Sequence, residues 1–292
     1  MKIKISADST LDMPKALIEK YDIGIAAMPI VCGGKDYLDL VNIVPAQVFE
    51  TVEAGGTVTT STVPIGEYET LFSRWLEEYD AIIHIDISSE LSACNQNAHA
   101  AIKLIDGAQG RVFPINSRNL SSSGAILAIE AYEMAQAGIP AAEIAETLSA
   151  LSYKIDASFV IDTLKYLHRG GRCSSLAQFG ANVLRLKPCI EVYPDTGKMD
   201  VGRKYRGSFE NAILQYTEDR LKGRTDIDPS ILFITYGEQT PPEIVDKVEA
   251  RVRELASFDR IERSTAGTTI AVHSGPVVLG LLFKTTNTGK FK

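Results

Sequence analysis

Ala81-Ile-Ile-His-Ile-Asp-Ile87, running into Ser88-Ser-Glu-Leu-Ser92 and then into the helical pattern Cys94 to Ile105, is the stretch on which the fold turns. Seven residues, mostly apolar and rich in isoleucine, read as a clean strand. The polar residues collect at its carboxyl end, the side on which open α/β sheets meet their ligands. A helix follows at once, as it does when one parallel strand must cross over to the next.

The same order recurs on both sides of this unit. Upstream, Lys2 to Ala7 alternates as a strand, Asp8-Ser9-Thr10 stands at its carboxyl end, and Pro14 opens a helix through about Tyr21. Gly24 to Cys32 reads as a second strand, Gly33-Gly34 as a turn, and Pro45 to Ala54 as a helix stopped by Gly55-Gly56. Thr57 to Pro64 is a loop dense in hydroxyls, set before a helix over Gly66 to Glu78. Downstream, Arg111 to Ile115 is a strand ending in Asn116-Ser117, and Ser121 to Ala137 and Ala141 to Lys154 are amphipathic helices. Strands alternating with helices imply a mainly parallel sheet flanked by helices over residues 1–155.

The remaining residues, 156–292, have a different rhythm. A strand over Ala157 to Ile161 is followed by a hairpin in Cys189 to Arg203 around Asp195-Thr-Gly197. Helix Ser208 to Leu221, strand Ile231 to Tyr236, helix Pro241 to Ser257 and a final strand pair around His273 complete it. The expected fold class is α/β with two domains, the second of them α+β. A chain of 292 residues is long enough for both.

Composition excludes several classes of function. Hydrophobic residues at 45% and charged residues at 23% are ordinary for a globular protein, and a formal charge of −7 argues against a nucleic-acid binder. No apolar run approaches the roughly 18 residues of a membrane span, and the amino terminus goes straight into a strand, so a cytoplasmic protein without membrane insertion is expected. The four cysteines show no C-x-x-C pair and the four histidines no H-x-x-x-H spacing, so neither metal nor disulfide framework is expected.

Chemistry concentrates in a few places. Asp8-Ser9-Thr10, Thr59 to Thr62, and Ser88-Ser89 with Ser92 lie at strand ends or in the loops beside them, so they could converge on one crevice. Hydroxyls with helix amides make a neutral site suited to a carboxylate or phosphate. Gly267-Thr-Thr-Ile-Ala-Val-His273-Ser-Gly-Pro276 sets an imidazole at the end of an apolar strand before a Gly-Pro turn, as a core residue or a functional one. Thr163-Leu-Lys-Tyr-Leu-His-Arg-Gly-Gly-Arg-Cys-Ser-Ser175 reads as a short helix ended by the positive φ of Gly170-Gly171. Arg172 then projects from the turn, and Ser174 and Ser175 cap a helix over Leu176 to Leu186. On spacing alone, that is a helical corner with a surface arginine.

Together these pieces resemble the DegV family, whose members bind long-chain fatty acids and in many bacteria serve as the lipid-binding subunit of fatty acid kinase. Asp8-Ser9-Thr10, Thr60-Ser61-Thr62 before Gly66-Glu67, Ser88-Ser-x-Leu-Ser92, Thr163-Leu-Lys-Tyr-Leu with Gly170-Gly-Arg172, and His273-Ser-Gly-Pro276 span nearly the whole chain in the family's order. The resemblance implies a fatty acid of palmitate, stearate or oleate type in a tunnel between two domains. Its carboxylate would be held by Thr60 or Ser61, Ser92 with Ala93, and His273 with Ser274. Arg172, Arg203 and Arg206 would lie near the mouth and meet an ATP-dependent kinase subunit or a phosphate. The chain itself would be a non-catalytic carrier, without cofactor.

This chain departs from the family pattern at Ala93-Cys94 in place of Gly-Thr, Val63 in place of proline, Asn116 in place of aspartate and Val277 in place of glycine. It has no G-x-x-x-x-G-K-[ST] loop, so ATP would be bound by the partner. Two alternatives stand beside the carrier: a Ser92–His273 acyl hydrolase, although no G-x-S-x-G elbow surrounds a serine, and a lipid-binding regulatory protein without a kinase partner.

Overall fold

The computed structural model describes residues 1–173 and 186–287. Ser174, Ser175 and the helix expected after them lie outside the described residues, apart from Leu186, which opens a strand. In chain order the strands are β1 (Ile3–Asp8), β2 (Gly24–Ala26), β3 (Pro29–Cys32), β4 (Lys35–Leu38), β5 (Val58–Thr60), β6 (Ala81–Asp86), β7 (Val112–Asn116), β8 (Ile155–Ile161), β9 (Leu186–Tyr193), β10 (Lys198–Arg206), β11 (Ile227–Tyr236), β12 (Ile261–Thr265) and β13 (Val278–Thr285). The helices are α1 (Lys15–Lys20), α2 (Pro45–Glu53), α3 (Ile65–Leu76), α4 (Cys94–Ile102), α5 (Ser122–Gln136), α6 (Ala141–Leu151), α7 (Lys165–Gly170), α8 (Phe209–Leu221), α9 (Pro242–Leu255) and α10 (Thr268–Ser274).

The first sheet has four parallel strands in the order β2-β1-β6-β7. Strand β6 is buried along its whole length, and its alternation divides it between two cores. Ile82 packs with Tyr68, Phe72 and Trp75 of α3 and with Ala98 of α4. Ala81, Ile83 and Ile85 pack on the other face with Ile126, Ile129 and Ile144 of α5 and α6. The all-parallel sheet covered on both faces is the architecture expected from the sequence.

The second sheet is mixed, in the order β10-β9-β8-β13-β11-β12, with β12 parallel to β11 and the other pairs antiparallel. Strand β13 again divides by period two. Leu279, Leu281 and Phe283 enter the core beneath α8 and α9, while Val278 and Leu282 face the first sheet. The chain is thus a two-domain α/β protein with a parallel sheet and a mixed sheet.

Helix α5 was expected to be amphipathic, yet its first eight residues are all buried. It packs on β1 and β6 on one side and on β11 and β13 on the other, so it lies between the sheets and has no solvent face there. The strand expected over Gly24 to Cys32 is two strands in different sheets. Ala27-Met28 breaks it, with the Met28 amide donating to Ser9 Oγ at 3.1 Å, and β3 goes on to centre a three-stranded antiparallel sheet, β4-β3-β5. Part of the hydroxyl-rich loop is therefore strand β5.

The expected strand at His273 is helix α10. Its amino end is held by two buried carboxylates: Gly267 N donates to Asp12 Oδ1 at 2.7 Å and Thr268 N to Asp39 Oδ1 at 3.1 Å. No helix among the described residues is long and apolar enough to cross a membrane.

Candidate functional site

A partly open cavity lies between the two sheets. One wall is the inward face of the mixed sheet: Ala157 and Phe159 of β8, Met199 of β10, and Val278, Gly280 and Leu282 of β13. Ile87, Leu91 and Leu120 close it from the parallel sheet's side. Polar side chains cluster where Thr60, Ser61, Thr62, Ser92, Arg172, His273 and Ser274 reach the lining. The cavity is therefore mostly apolar, with several hydroxyls, one imidazole and one cation in its lining.

His273 organises that end. Its Nε2 lies 2.9 Å from Thr60 Oγ1, whereas Nδ1 is buried without a hydrogen-bond partner among the described residues. A bare lone pair is cheaper to bury unpaired than an N–H, so the proton belongs on Nε2, which donates to Thr60 Oγ1. The Thr60 hydroxyl hydrogen is then left to point at a ligand. Burial, assisted by the nearby Arg172 charge, pushes the imidazole down to about 4, so it is neutral at pH 7.

Two glycines make this placement possible. A Cβ on Gly170 would come within 2.1 Å of His273 Nδ1, and one on Gly275 within 2.7 Å of the Tyr166 ring. Helices α7 and α10 thus meet backbone to ring in both directions. The sequence assigned positive φ to both glycines of the pair, but only Gly171 has it, at +65°. Gly170 is required for close approach instead.

Ser92 is carried by the turn that opens α4. Its hydroxyl donates to Cys94 Sγ at 3.2 Å, and Asn97 Nδ2 bonds Val63 O at 2.8 Å and Thr62 Oγ1 at 3.3 Å, tying α4 to the hydroxyl-rich segment. Ala93, expected at the head group, is exposed and does not line the cavity. Its φ of −85° is open to any residue, so alanine in place of glycine costs the turn nothing. Val277 likewise has no positive φ. Asn116 donates to Ser89 Oγ at 2.6 Å, a bond that a carboxylate could not give.

Asp8-Ser9-Thr10, and Ser88-Ser89 of the cluster that includes Ser92, do not reach the cavity. Ser9 Oγ donates to Asp39 Oδ2, Thr10 bonds Asp8, and Ser88 Oγ donates to Gly197 O at 2.6 Å, so these groups serve backbone and carboxylate partners. Arg172 lines the cavity, with Nη1 donating to Gly170 O at 2.6 Å, and also lines an outer cleft with Arg169, Tyr166 and Thr59. Arg203 and Arg206 lie apart from both clefts. Arg203 pairs with Asp219 at 2.7 Å, and Arg206 is exposed opposite Leu186, at the sheet edge where β8 ends.

The hydrolase constellation is not assembled. His273 engages Thr60 rather than Ser92, and Nδ1 meets no orienting carboxylate among the described residues. Residues that the sequence reading did not single out also line the site. Val278-x-Gly280-x-Leu282 could have been found from its period-two pattern; Thr269, Ser121 and Thr235 carried no separate signal.

Asp12 supports the site from behind. Burial pushes its carboxyl up to about 8, against the opposing bonds from Ser121 Oγ at 2.5 Å and Gly267 N. A folded-state value raised above the unfolded one favours the fold at low pH, and that contribution is lost as pH rises from about 4 through about 8. Asp12→Asn is expected to flatten the decline of the thermal midpoint over that window, measured by calorimetry at half-unit steps. A decline as steep as in the parent chain would exclude Asp12 as its source.

Comparisons with known proteins identify the family of the chain. A DegV domain-containing protein of Caldanaerobacter subterraneus is 30% identical over 283 residues, covering 97% of this chain and 99% of the other. The solved structure of DegV from Bacillus subtilis, described as a fatty acid binding protein, superposes with a TM-score of 0.82 at 25% identity over 98% of this chain and 99% of that one. A stearic acid-binding protein of Eubacterium ventriosum has the same fold, with a TM-score of 0.83 at 24% identity over 97% and 98% of the two chains. The family model described as "Uncharacterised protein, DegV family" matches residues 2–286, so the inter-sheet cavity, the His273 helix and the glycine pair against it all fall within the match, and the chain belongs to the DegV family.

Proposed function

We propose that the cavity binds a long-chain fatty acid of palmitate, stearate or oleate type and that the chain presents its carboxylate to a separate ATP-dependent kinase subunit. The observation that carries this is that Thr60, Ser61, Ser92, His273 and Ser274 line a cavity whose remaining wall is mostly apolar. Burying an acyl chain is worth about 0.8 kcal/mol per methylene, so about a dozen methylenes supply nearly 10 kcal/mol before binding costs. The polar end then needs to satisfy one carboxylate, which is the task of the neutral donors, while Arg172 is left for presentation. The Bacillus subtilis relative described as fatty acid binding supports the ligand class.

In this reading the domains are 1–155 and 156–292, and the protein is a non-catalytic cytoplasmic carrier. Arg172, shared by the inner cavity and the outer cleft, meets the kinase or its transferred phosphate. Organic extraction of the purified protein followed by mass spectrometry should release a fatty acid. Absence of lipid, together with failure to bind added palmitate or oleate, would refute the reading.

Ser92→Ala removes a hydroxyl whose hydrogen can turn from the weak acceptor Cys94 Sγ to the carboxylate, and should weaken palmitate binding about fivefold to tenfold in a fluorescent displacement assay. Arg172→Ala should retain lipid yet reduce acyl phosphate formation with a kinase subunit and ATP. Lipid loss in the arginine variant equal to that in Ser92→Ala would undo the division between holding and presenting.

A further inference from the structure

Thr269 is an unused polar group inside the cavity. The residue is 3% exposed and lines the lipid slot, yet its Oγ1 has no hydrogen-bond partner among the described residues. Three other helical threonines bond the carbonyl four residues back: Thr51 to Gln47, Thr70 to Gly66 and Thr217 to Ile213, each at 2.8 Å. Thr269 stands in the first turn of α10, where the residue four back, Thr265, belongs to β12 and offers no helical carbonyl. Thr269 thus lines the cavity while its hydroxyl stays an unpaired buried donor among the described residues.

Two more hydroxyl residues line the same cavity. Ser121, at the start of α5, donates to Asp12, and Thr235, near the end of β11, lies 2.6 Å from Ser122 Oγ. Ser122 Oγ in turn donates to Asp12 O at 3.1 Å, so Thr235 donates to Ser122 and keeps its lone pairs. Ser121, Thr235 and the amino end of α10 all gather around Asp12. A second polar patch thus interrupts the apolar wall, apart from the carboxylate end.

We propose that this chain selects fatty acids bearing a hydroxyl near the fifth or sixth carbon, with Thr269 Oγ1 as the group that bonds it. The inference rests on the fatty-acid reading of the same cavity. Thr269 and His273 are one helical turn apart, about 6 Å along the axis. An extended acyl chain of roughly 1.5 Å bonds advances about 1.3 Å per carbon, which places the hydroxyl at that position for a chain that runs along α10 from a carboxylate level with His273. An unsubstituted chain leaves Thr269 unpaired, and a hydroxylated one satisfies it.

The test is displacement of a fluorescent fatty acid by palmitate and by its 3-, 6- and 12-hydroxy derivatives, using the parent chain, Thr269→Val and Thr269→Ser. The 6-hydroxy acid should bind the parent chain best of the hydroxylated three. Thr269→Val should lower its affinity about tenfold while leaving palmitate within about twofold, and Thr269→Ser should restore it. Equal losses for palmitate and the 6-hydroxy acid, or no preference among positions in the parent chain, would overturn the proposal while palmitate binding keeps the fatty-acid reading. Failure of palmitate and all three derivatives to bind the parent chain would overturn both.

Discussion

Gly170→Ala should empty the cavity of fatty acid, with a fall in palmitate affinity of about a hundredfold or more. The methyl group would stand 2.1 Å from His273 Nδ1, closer than any real contact, and 3.0 Å from Cε1, so either the ring or α7 must move. The ring cannot give way freely. Gly275 fixes the end of α10 against Tyr166, and Asp12 and Asp39 fix its start. Displacing His273 breaks its bond to Thr60 and removes two of the groups proposed for the carboxylate at once, and an unsatisfied buried charge is far costlier than a lost neutral bond.

Gly171 is the natural control. Nothing lies within 4 Å of a Cβ built there, and its φ of +65° makes alanine strained by about 1 kcal/mol. Gly171→Ala should therefore lose stability but keep its ligand, the reverse of Gly170→Ala. Lipid retained by the Gly170 variant, with the His273 ring resonances unshifted in NMR spectra, would show that the contact does not set the imidazole.

That division of labour between adjacent glycines was not legible in the sequence, where both look like helix terminators. What could be read was whatever depends on local pattern. The strand over Ala81 to Asp86, the hairpin closed at Gly197 and helix α8 with its Ser208 cap follow from periodicity and turn chemistry, which act over a few residues. The run Thr268-Thr-Ile-Ala-Val272 misled because β-branched residues favour strands by propensity. Tertiary partners from distant parts of the chain, Asp12 and Asp39, reverse that preference. Hydroxyl clusters were legible as chemistry but not as place. Asp8-Ser9-Thr10 and Thr60-Ser61-Thr62 have similar composition, and only the packing of α10 against β5 brings the second into the cavity.

Asp156→Ala is expected to destabilise the fold by about 3–5 kcal/mol without altering the site's chemistry. Asp156 and Ala157 are neighbours on β8 and point to opposite faces, Ala157 into the lipid cavity and Asp156 towards α8. Asp156 is 3% exposed and accepts from two guanidinium groups, Arg220 Nη2 and, at 2.5 Å, Arg224 Nη1. Alanine leaves the buried Arg220 charge with one of its carboxylates gone, which costs more than the pair contributes relative to apolar residues. The double replacement Asp156→Leu with Arg220→Met should accordingly recover most of the loss. Saturating palmitate should raise the midpoint of the single variant as much as that of the parent chain, because the cavity wall is unchanged and only the folded state binds. Urea unfolding with and without ligand separates the two effects. A single variant within about 1 kcal/mol of the parent, or a ligand response that disappears with the ion pair, would mean that the two faces of β8 are not independent.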